Sequence, residues 1–568
     1  MERYYRDQLQ RLREGASEFA RRHPAVAPMM LAESGDPDVE RILEGTAWLC
    51  AKIQQRLDQT APNLIQSLLR LVFPQAILPI PSTTLIRFTP YPGFDEAFLV
   101  PEGTQLASHP VDGVPCIYST SQTIQVLPLA LVRLGKEGAT LTLTLASAVP
   151  LQRFLPNTLV FYCTGTYAEA SDRFVTLVTR TQSVSIQAGG ARVTLSPKAV
   201  RQHTLPLTDI RLPGSRRLNR GYMELLRYFH FPEQLLAIDV EGFERLSLAG
   251  DETSMTVTFH LEGRADTLPP FPEDAITLNV TPAANVFRVS AEPITIDHTR
   301  EEYLIRPQNG KQLSLETLGV EEATAMLPGG RTMPLRPYEA FDADDTGLFY
   351  SLRFRPSEKN GTIEHVLTPL YRQNGSEAFI ERAVLSLELL CCNHSLPASL
   401  QAGDICQPTD TSPAQASFTN LMAPTPMLPC PVRESLQWRF LSLMNTNLLS
   451  LASPKALTSL LELYLPEAEV ATELAAAGAR RIQAVTDFSS SAEERLFGGR
   501  LLRGRLLALT LDPAGFVSHG DLYLFANALD RFFAGFANLN TYSRLALTIA
   551  NTGEQHLWPP RLGEKQLI

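Results

Sequence analysis

The stretch 62–88, PNLIQSLLRLVFPQAILPIPSTTLIRF, contains the change of pattern that decides the fold. Its first part repeats leucine at helical spacing up to Pro74, and its last part alternates from Thr83 to Phe88. Steps of three and four residues are typical of an amphipathic helix, whereas strict alternation is typical of a half-buried strand. The sequence therefore predicts a helical region before this stretch and a β-rich region after it.

Three consecutive helices are predicted upstream of that change. The first ends at His23-Pro24, the second begins at Asp36-Pro37, and the third begins at Pro62 and stops before Pro74. Asp36 suits a helix cap and Pro37 the first helical position. Each helix has one apolar stripe, which either packs against the other helices or faces a partner. Stripe width alone favours packing.

Downstream, prolines exclude long helices and alternating runs predict strands. The clearest runs are 141–145, 255–261, 348–354 and 384–389. Asn360-Gly361 and Asn374-Gly375 are typical of tight hairpin turns, because both residue types tolerate positive φ. A short aromatic helix at 221–232 is predicted to divide two sheet units. Antiparallel β-sandwiches are the expected architecture.

The last third begins with a stretch rich in Pro, Thr and Ser, which predicts a linker. Helical periodicity then returns at 438–451 and 454–465, and strand-like runs at 506–511 and 545–549 flank an aromatic helix from Tyr523 to Phe536. The predicted fold class is α+β multidomain. Its parts are an N-terminal helical module (1–80), a first β-rich region (81–270), a second β-sandwich-like domain (271–402), the linker (403–432) and a C-terminal mixed α/β domain (433–568), which is the candidate dimerisation region.

Composition bounds the class of protein. A chain of 568 residues needs several cores, and 44% hydrophobic with 19% charged residues is typical of a folded protein. The formal net charge of −10 disfavours nucleic acid as a partner. The start lacks the apolar segment of a secretory signal, and the seven scattered cysteines are typical of reduced thiols. We therefore expect a cytoplasmic protein.

Sequence motifs for chemistry are weak. No histidine lies in a metal-ligand spacing, and Gly499 to Arg505 has the glycine spacing of a phosphate loop but lacks its lysine. Cys391 and Cys392 are adjacent on a predicted strand, so they point to opposite faces and cannot both join one site. We expect no metal, no cofactor and no catalytic residue, and hence no enzyme.

Short motifs in a fixed order resemble the TssF family of type VI secretion system baseplate subunits, also called VasA or ImpG. The resemblance extends along the whole chain. Its motifs include Asp36-Pro37-Asp38, Pro79-Ile80-Pro81-Ser82, Gly221-Tyr222, Tyr228-Phe229-His230-Phe231-Pro232, Ala283-Ala284-Asn285-Val286-Phe287, Leu390-Cys391-Cys392-Asn393, Leu529-Asp530-Arg531-Phe532-Phe533 and Trp558-Pro559-Pro560-Arg561.

This resemblance implies a structural wedge subunit of a contractile injection machine. The family's partners are then expected here: a second copy of the chain, TssG, TssE, TssK and the hub, with the membrane complex contacted indirectly. Assembly at the cytoplasmic face of the bacterial inner membrane is implied as well. Such a subunit holds geometry and transmits a conformational change, which needs large interfaces and no active site.

The two ends of the chain supply the candidate interface residues. The C-terminal group is equally compatible with a core, because buried aromatics need no partner to explain them. The candidates are Tyr4, Tyr5, Leu9, Leu12, Phe19, Leu49 and Ile53 at the N-terminal end, and Tyr523, Phe525, Leu529, Phe532, Phe533 and Phe536 at the C-terminal end.

Two other functions remain open at this point. One is a baseplate wedge protein of a contractile phage tail or a phage-derived particle. The other, from a different class, is a carbohydrate-binding or carbohydrate-active β-rich protein, since sandwiches often carry sugar sites. That class predicts an exposed aromatic platform beside paired carboxylates, whereas the aromatics here fall mostly at core spacing.

Overall fold

The computed structural model describes residues 2–22, 37–72, 78–206, 220–248, 250–310, 313–338, 347–356, 363–372, 382–429, 438–439, 453–466, 471–497 and 500–563. The helices of these residues are α1 (Glu2–Arg22), α2 (Pro37–Val72), α3 (Tyr167–Thr179), α4 (Arg220–His230), α5 (Pro454–Leu461), α6 (Thr472–Gln483) and α7 (His519–Ala534). Most of the predicted helix at 438–451 and the predicted turns Asn360-Gly361 and Asn374-Gly375 lie outside the described residues.

The first strands, up to residue 261, are β1 (Thr83–Pro90), β2 (Phe98–Val100), β3 (Gln105–Val111), β4 (Val114–Thr120), β5 (Ile124–Val126), β6 (Ala130–Glu137), β7 (Thr140–Ala146), β8 (Thr158–Cys163), β9 (Thr181–Ala188), β10 (Ala191–Leu195), β11 (Val200–Gln202), β12 (Ala237–Glu241) and β13 (Ser254–Leu261). The next are β14 (Ile276–Thr277), β15 (Val280–Ala284), β16 (Phe287–Ser290), β17 (Ile294–Ile296), β18 (Tyr303–Leu304), β19 (Glu316–Met326), β20 (Thr332–Pro334), β21 (Arg336–Pro337), β22 (Gly347–Pro356), β23 (Ile363–Arg372) and β24 (Ala383–Cys392). The last are β25 (Ile405–Pro408), β26 (Ala416–Asn420), β27 (Val485–Phe497), β28 (Arg500–Leu511), β29 (Thr541–Ile549), β30 (Gln555–Leu557) and β31 (Arg561–Leu562).

Helices near both ends and antiparallel sheets between them confirm the predicted α+β fold class. Each alternating run of the sequence analysis lies in a strand, from β7 to β24. The exceptions to antiparallel pairing are β21 with β22 and β28 with β29. The β28–β29 pair is parallel because α7 lies between them in the chain and returns it to the same end of the sheet.

The predicted division between the second and third N-terminal helices is wrong, because α2 runs without a break from Pro37 to Val72. The predicted helix start at Pro62 lies inside it. An internal proline costs a helix about 3 kcal/mol through its missing N–H and its ring. Here the helical residues on both sides outweigh that cost, and the two predicted helices are one.

Two β units lie side by side in the chain's middle. The first unit contains the sheet β25-β3-β4-β15-β1-β26, and the second contains the sheet β16-β24-β19-β20. Each has its own apolar core, around Phe88 and Tyr118 in the first and around Leu387 and Leu389 in the second.

The prediction that residues 403–432 form a linker is wrong where this stretch forms strands. β25 and β26 fall within it and form the two edges of the first β unit. Pro408 ends β25, and an edge strand tolerates proline because one side of the strand needs no ladder bond. The high proline content therefore marks sheet edges here.

The aromatic helix predicted at 221–232 does not divide two sheets. It is α4, and the strands on either side of it, β11 and β12, pair with each other in one sheet. Its residues enter the largest core, which also contains Phe174 of α3 and Phe525 of α7. The predicted boundaries near 270 and 432 therefore cut through one core.

Candidate protein-binding surface

α1 and α2 pack together through small residues. Among the described side chains up to residue 54, the buried apolar ones are Ala16 of α1 and Ala47 and Ala51 of α2, with exposed fractions of 7%, 0% and 0%. Alanines allow two helices to approach closely, so the large apolar residues are not needed in the seam. Arg13 of α1 also pairs with Glu40 of α2.

Six large apolar residues of α2 are exposed, although the helix packs against α1 on its other side. Their exposed fractions are Ile42 68%, Trp48 46%, Leu49 58%, Ile53 61%, Leu64 62% and Leu68 38%. Apart from Trp48, they follow each other at steps of 7, 4, 11 and 4 residues, which keeps them on one side of a helix. We call the five aliphatic residues the α2 stripe, and Trp48, about 100° round the helix from Leu49, is not part of it. From Ile42 to Leu68 it extends about 39 Å at 1.5 Å per residue.

Only the C-terminal part of α2 joins the main body of the protein. Ile65 and Leu69 are 1% and 0% exposed and belong to the largest core. Beside them, the Gln66 side chain donates to the Phe354 carbonyl at 3.4 Å. No described side chain between residues 2 and 54 belongs to any of the four core clusters. The exposed stripe is therefore held in place by one anchored end.

The N-terminal candidates divide into two groups. Phe19, Leu49 and Ile53 are exposed, whereas Tyr4, Tyr5, Leu9 and Leu12 are half-buried. Contact of any of them with a partner stays a prediction. The candidate set missed Ile42, Trp48, Leu64 and Leu68, although their helical spacing was visible in the sequence. What the sequence did not reveal is that alanines, and not these residues, fill the seam.

The C-terminal candidates lie in the core of the chain itself. Phe525, Leu529, Phe532 and Phe533 of α7 are at most 1% exposed, so their interpretation as interface residues is wrong. Phe533 stacks on Phe488 with ring centroids 5.3 Å apart. The last two candidates are only partly buried but also pack against this core, namely Tyr523 and Phe536.

A buried polar cluster fixes the start of α7. The Asp521 carboxylate accepts hydrogen bonds from the hydroxyls of Tyr167 and Tyr228, each at 2.7 Å, and from Arg481 Nε at 3.1 Å. Burial raises the pKa of both tyrosines well above the usual value, so they remain neutral donors. Four helices thus meet at one carboxylate, which explains why the aromatic face of α7 turns inward.

The thiols at 391 and 392 lie in different cores, as the strand pattern predicts. Cys391 belongs to the core of the second β unit, whereas Cys392 packs with Leu318 and Val286 in a separate small cluster. Burial raises the pKa of Cys391 to about 12, so this thiol stays protonated at neutral pH. Neither the described histidines and cysteines nor the described carboxylates form a group of three that could hold a metal ion. In the same described residues, no helix is both long and apolar enough to span a membrane.

Comparison with known proteins gives consistent matches along the chain. The family described as "Type VI secretion system, TssF" matches residues 1–565. The type VI secretion system component TssF1 of Pseudomonas aeruginosa is 26% identical over 99% of this chain and 98% of its own length.

Two solved structures share the fold. One is a chain of a type VI secretion system TssK-TssF-TssG baseplate subcomplex, with a TM-score of 0.75 and 24% identity over 92% of this chain and 99% of that chain. The other comes from a baseplate complex of the type VI secretion system, with a TM-score of 0.59 and 23% identity over the full length of both chains.

Proposed function

This chain belongs to the TssF family of type VI secretion system baseplate subunits, and from that premise we propose that its α2 stripe binds helices of another baseplate subunit. The observation that supports the proposal is the exposure of large aliphatic side chains beside a seam built from alanines. Large apolar side chains exposed along one side of a helix are typical of a protein–protein contact.

The energetics favour a helical partner. Burying one aliphatic side chain fully contributes about 1.5–3 kcal/mol, and the stripe offers five leucines and isoleucines. Their spacing along one side of α2 fits the ridges of a second amphipathic helix. We propose that α1, α2 and the partner's helices form one bundle, with the stripe in its core.

The partner we propose is a TssG subunit of the same system, because a solved relative comes from a TssK-TssF-TssG subcomplex. TssK, TssE, the hub and a second copy of this chain are further proposed neighbours in the wedge. In this role the chain is structural and not catalytic, it holds the baseplate under the sheath and tube, and it transmits firing. We propose that it does so at the cytoplasmic face of the inner membrane.

The test is the double variant L49E and I53E, co-expressed with the TssG and TssK subunits of the same system. Native mass spectrometry of the purified material should show the complex with the unaltered chain and its loss with the variant. The circular dichroism of the variant should be unchanged, because neither residue supports a core.

Val132→Glu is the matched control, since Val132 on β6 is 66% exposed and lies outside the stripe. It should form the complex in normal yield. If L49E and I53E assembled as well as V132E, the stripe would not be the binding surface.

A further inference from the structure

The chain crosses between the two β units twice, and an asparagine lies at each crossing. Asn285 lies between β15 of the first unit and β16 of the second, and Asn393 follows β24 before the chain returns to β25. Both side chains are buried, with exposed fractions of 0% and 1%. Neither residue takes part in the proposed binding surface.

The two asparagines form two hydrogen bonds with each other, and the Asn285 side chain is the acceptor in one and the donor in the other. Asn285 Oδ1 accepts the Asn393 backbone N–H at 2.7 Å, and Asn285 Nδ2 donates to Asn393 Oδ1 at 2.8 Å. Each crossing of the chain is therefore tied to the other crossing, and not only to its own unit.

Both side chains also reach beyond the pair. Asn285 Nδ2 donates to the Ile117 carbonyl of β4 at 2.8 Å, and Asn393 Oδ1 accepts the Ile117 N–H at 3.1 Å. Asn393 Nδ2 donates to the Leu313 carbonyl, just before β19 of the second unit, at 3.4 Å. All four side-chain polar atoms are thus paired, and their partners lie in both units.

Apolar contact at this junction is small. The cluster beside the pair consists of Ala284, Val286, Leu318, Leu390 and Cys392 as its buried residues. Such contacts resist separation, but they are not directional and do not fix an angle as hydrogen bonds do. A buried amide also loses stability if it turns away from its partners, because no water is available to replace them.

We infer that the Asn285–Asn393 pair is a latch that fixes the orientation of the second β unit relative to the first. The two units then move as one rigid body, so a displacement of one is passed to the other without bending at the junction. Ser119 Oγ, which donates to the Val286 carbonyl at 2.6 Å, supports the same junction. The hydrogen bond from Gln66 of α2 to the Phe354 carbonyl is a further attachment, at a different place.

The test measures orientation separately from stability. The full chain carries one spin label in each unit, at Gln125→Cys in the first and at Thr332→Cys in the second. Cys50, Cys406 and Cys430 are replaced by Ser so that they are not labelled. Double electron–electron resonance then measures the distance between the two labels. The unaltered junction should give one narrow distance distribution. Asn393→Ala should broaden it at least twofold and speed hydrogen exchange at the Ile117 amide.

Asn420→Ala is the matched control, because Asn420 is 2% exposed and its amide also makes four hydrogen bonds, all within the first unit. It should lower stability and leave the distribution narrow. If N393A does not yield folded protein, Asn393→Ser, which retains one polar atom, is measured in its place and should also broaden the distribution. A narrow distribution in the junction variant, or equal broadening in N420A, would overturn the latch.

Discussion

Charged side chains in this protein have very different surroundings. Asp521 and Arg481 are 0% and 6% exposed and hold each other inside the largest core. Glu494 and Arg503 make a similar contact at 3.1 Å on the β27–β28 hairpin, but both side chains are exposed to solvent. Water weakens the attraction between Glu494 and Arg503, and it solvates the remaining charge when one of the two is removed. The buried pair of Asp521 and Arg481 has no such compensation.

Asp521→Asn therefore should destabilise the protein strongly. The amide keeps the shape of the carboxylate, and its oxygen can still accept from the two tyrosine hydroxyls. Arg481, however, is left with its charge buried and unpaired, and its Nε–H faces an amide N–H₂ donor instead of an acceptor. Breaking a buried pair in this way costs about 3–5 kcal/mol. Urea denaturation followed by tryptophan fluorescence measures the loss.

Glu494→Gln is the control for that measurement and should leave the unfolding midpoint where it is. Equal midpoints for D521N and the unaltered chain would mean that the cluster around Asp521 is not needed for the packing of α7.

At the scale of elements, α7 approaches α3 more closely than side chains allow. A Cβ on Gly520, in the first turn of α7, would lie 2.1 Å from the backbone carbon of Ser171 in α3. The Gly520 N–H also donates to Asp172 Oδ1 at 2.7 Å, so the two helices are joined at this point by backbone proximity and by a side chain.

Gly520→Ala should force α3 and α7 apart and lower the free energy of unfolding by about 1–3 kcal/mol, the usual cost of overpacking. Gly45→Ala in α2 is the control, because nothing lies within 4 Å of its Cβ position. Alanine is the better helix former by about 1 kcal/mol, so that change should be neutral or stabilising. Thermal unfolding of both variants distinguishes the cases, and a normal midpoint for G520A would contradict the close approach.

Local patterns predicted most elements, and long-range contacts decided what each element does. The alternating run 255–261 and the aromatic segment 523–536 are β13 and α7, because periodicity depends only on neighbouring residues. Whether Phe533 faces a partner or Phe488 depends on residues far away in the chain, which periodicity does not record. For the same reason the sequence predicts the α2 stripe only in part, since its exposure depends on which side of α2 packs against α1.

At the scale of the whole molecule, the largest core is assembled from both halves of the chain. Phe174, Tyr228 and Leu145 from the first half lie in the same cluster as Leu457 and Phe532 from the second. The proline-rich stretch between the two halves contributes the edge strands β25 and β26 to a sheet of the first half. The chain therefore folds as an interleaved structure, and its two halves are not independent.

A chain that ends at residue 432, the predicted boundary of the C-terminal domain, should consequently fail to fold. Removing α7 uncovers Phe174, Leu177 and Phe229, which are all at most 2% exposed, and exposed apolar surface of this size promotes aggregation. Size-exclusion chromatography with light scattering should show aggregates, and hydrogen exchange of β7 and β13 should lose protection. Removal of residues 2–22 is the control, because no described side chain of α1 belongs to any of the four core clusters, and that variant should stay folded. A monodisperse 1–432 fragment with protected β7 and β13 would instead mean that the two halves fold independently, and that the shared core forms only after each half has its own structure.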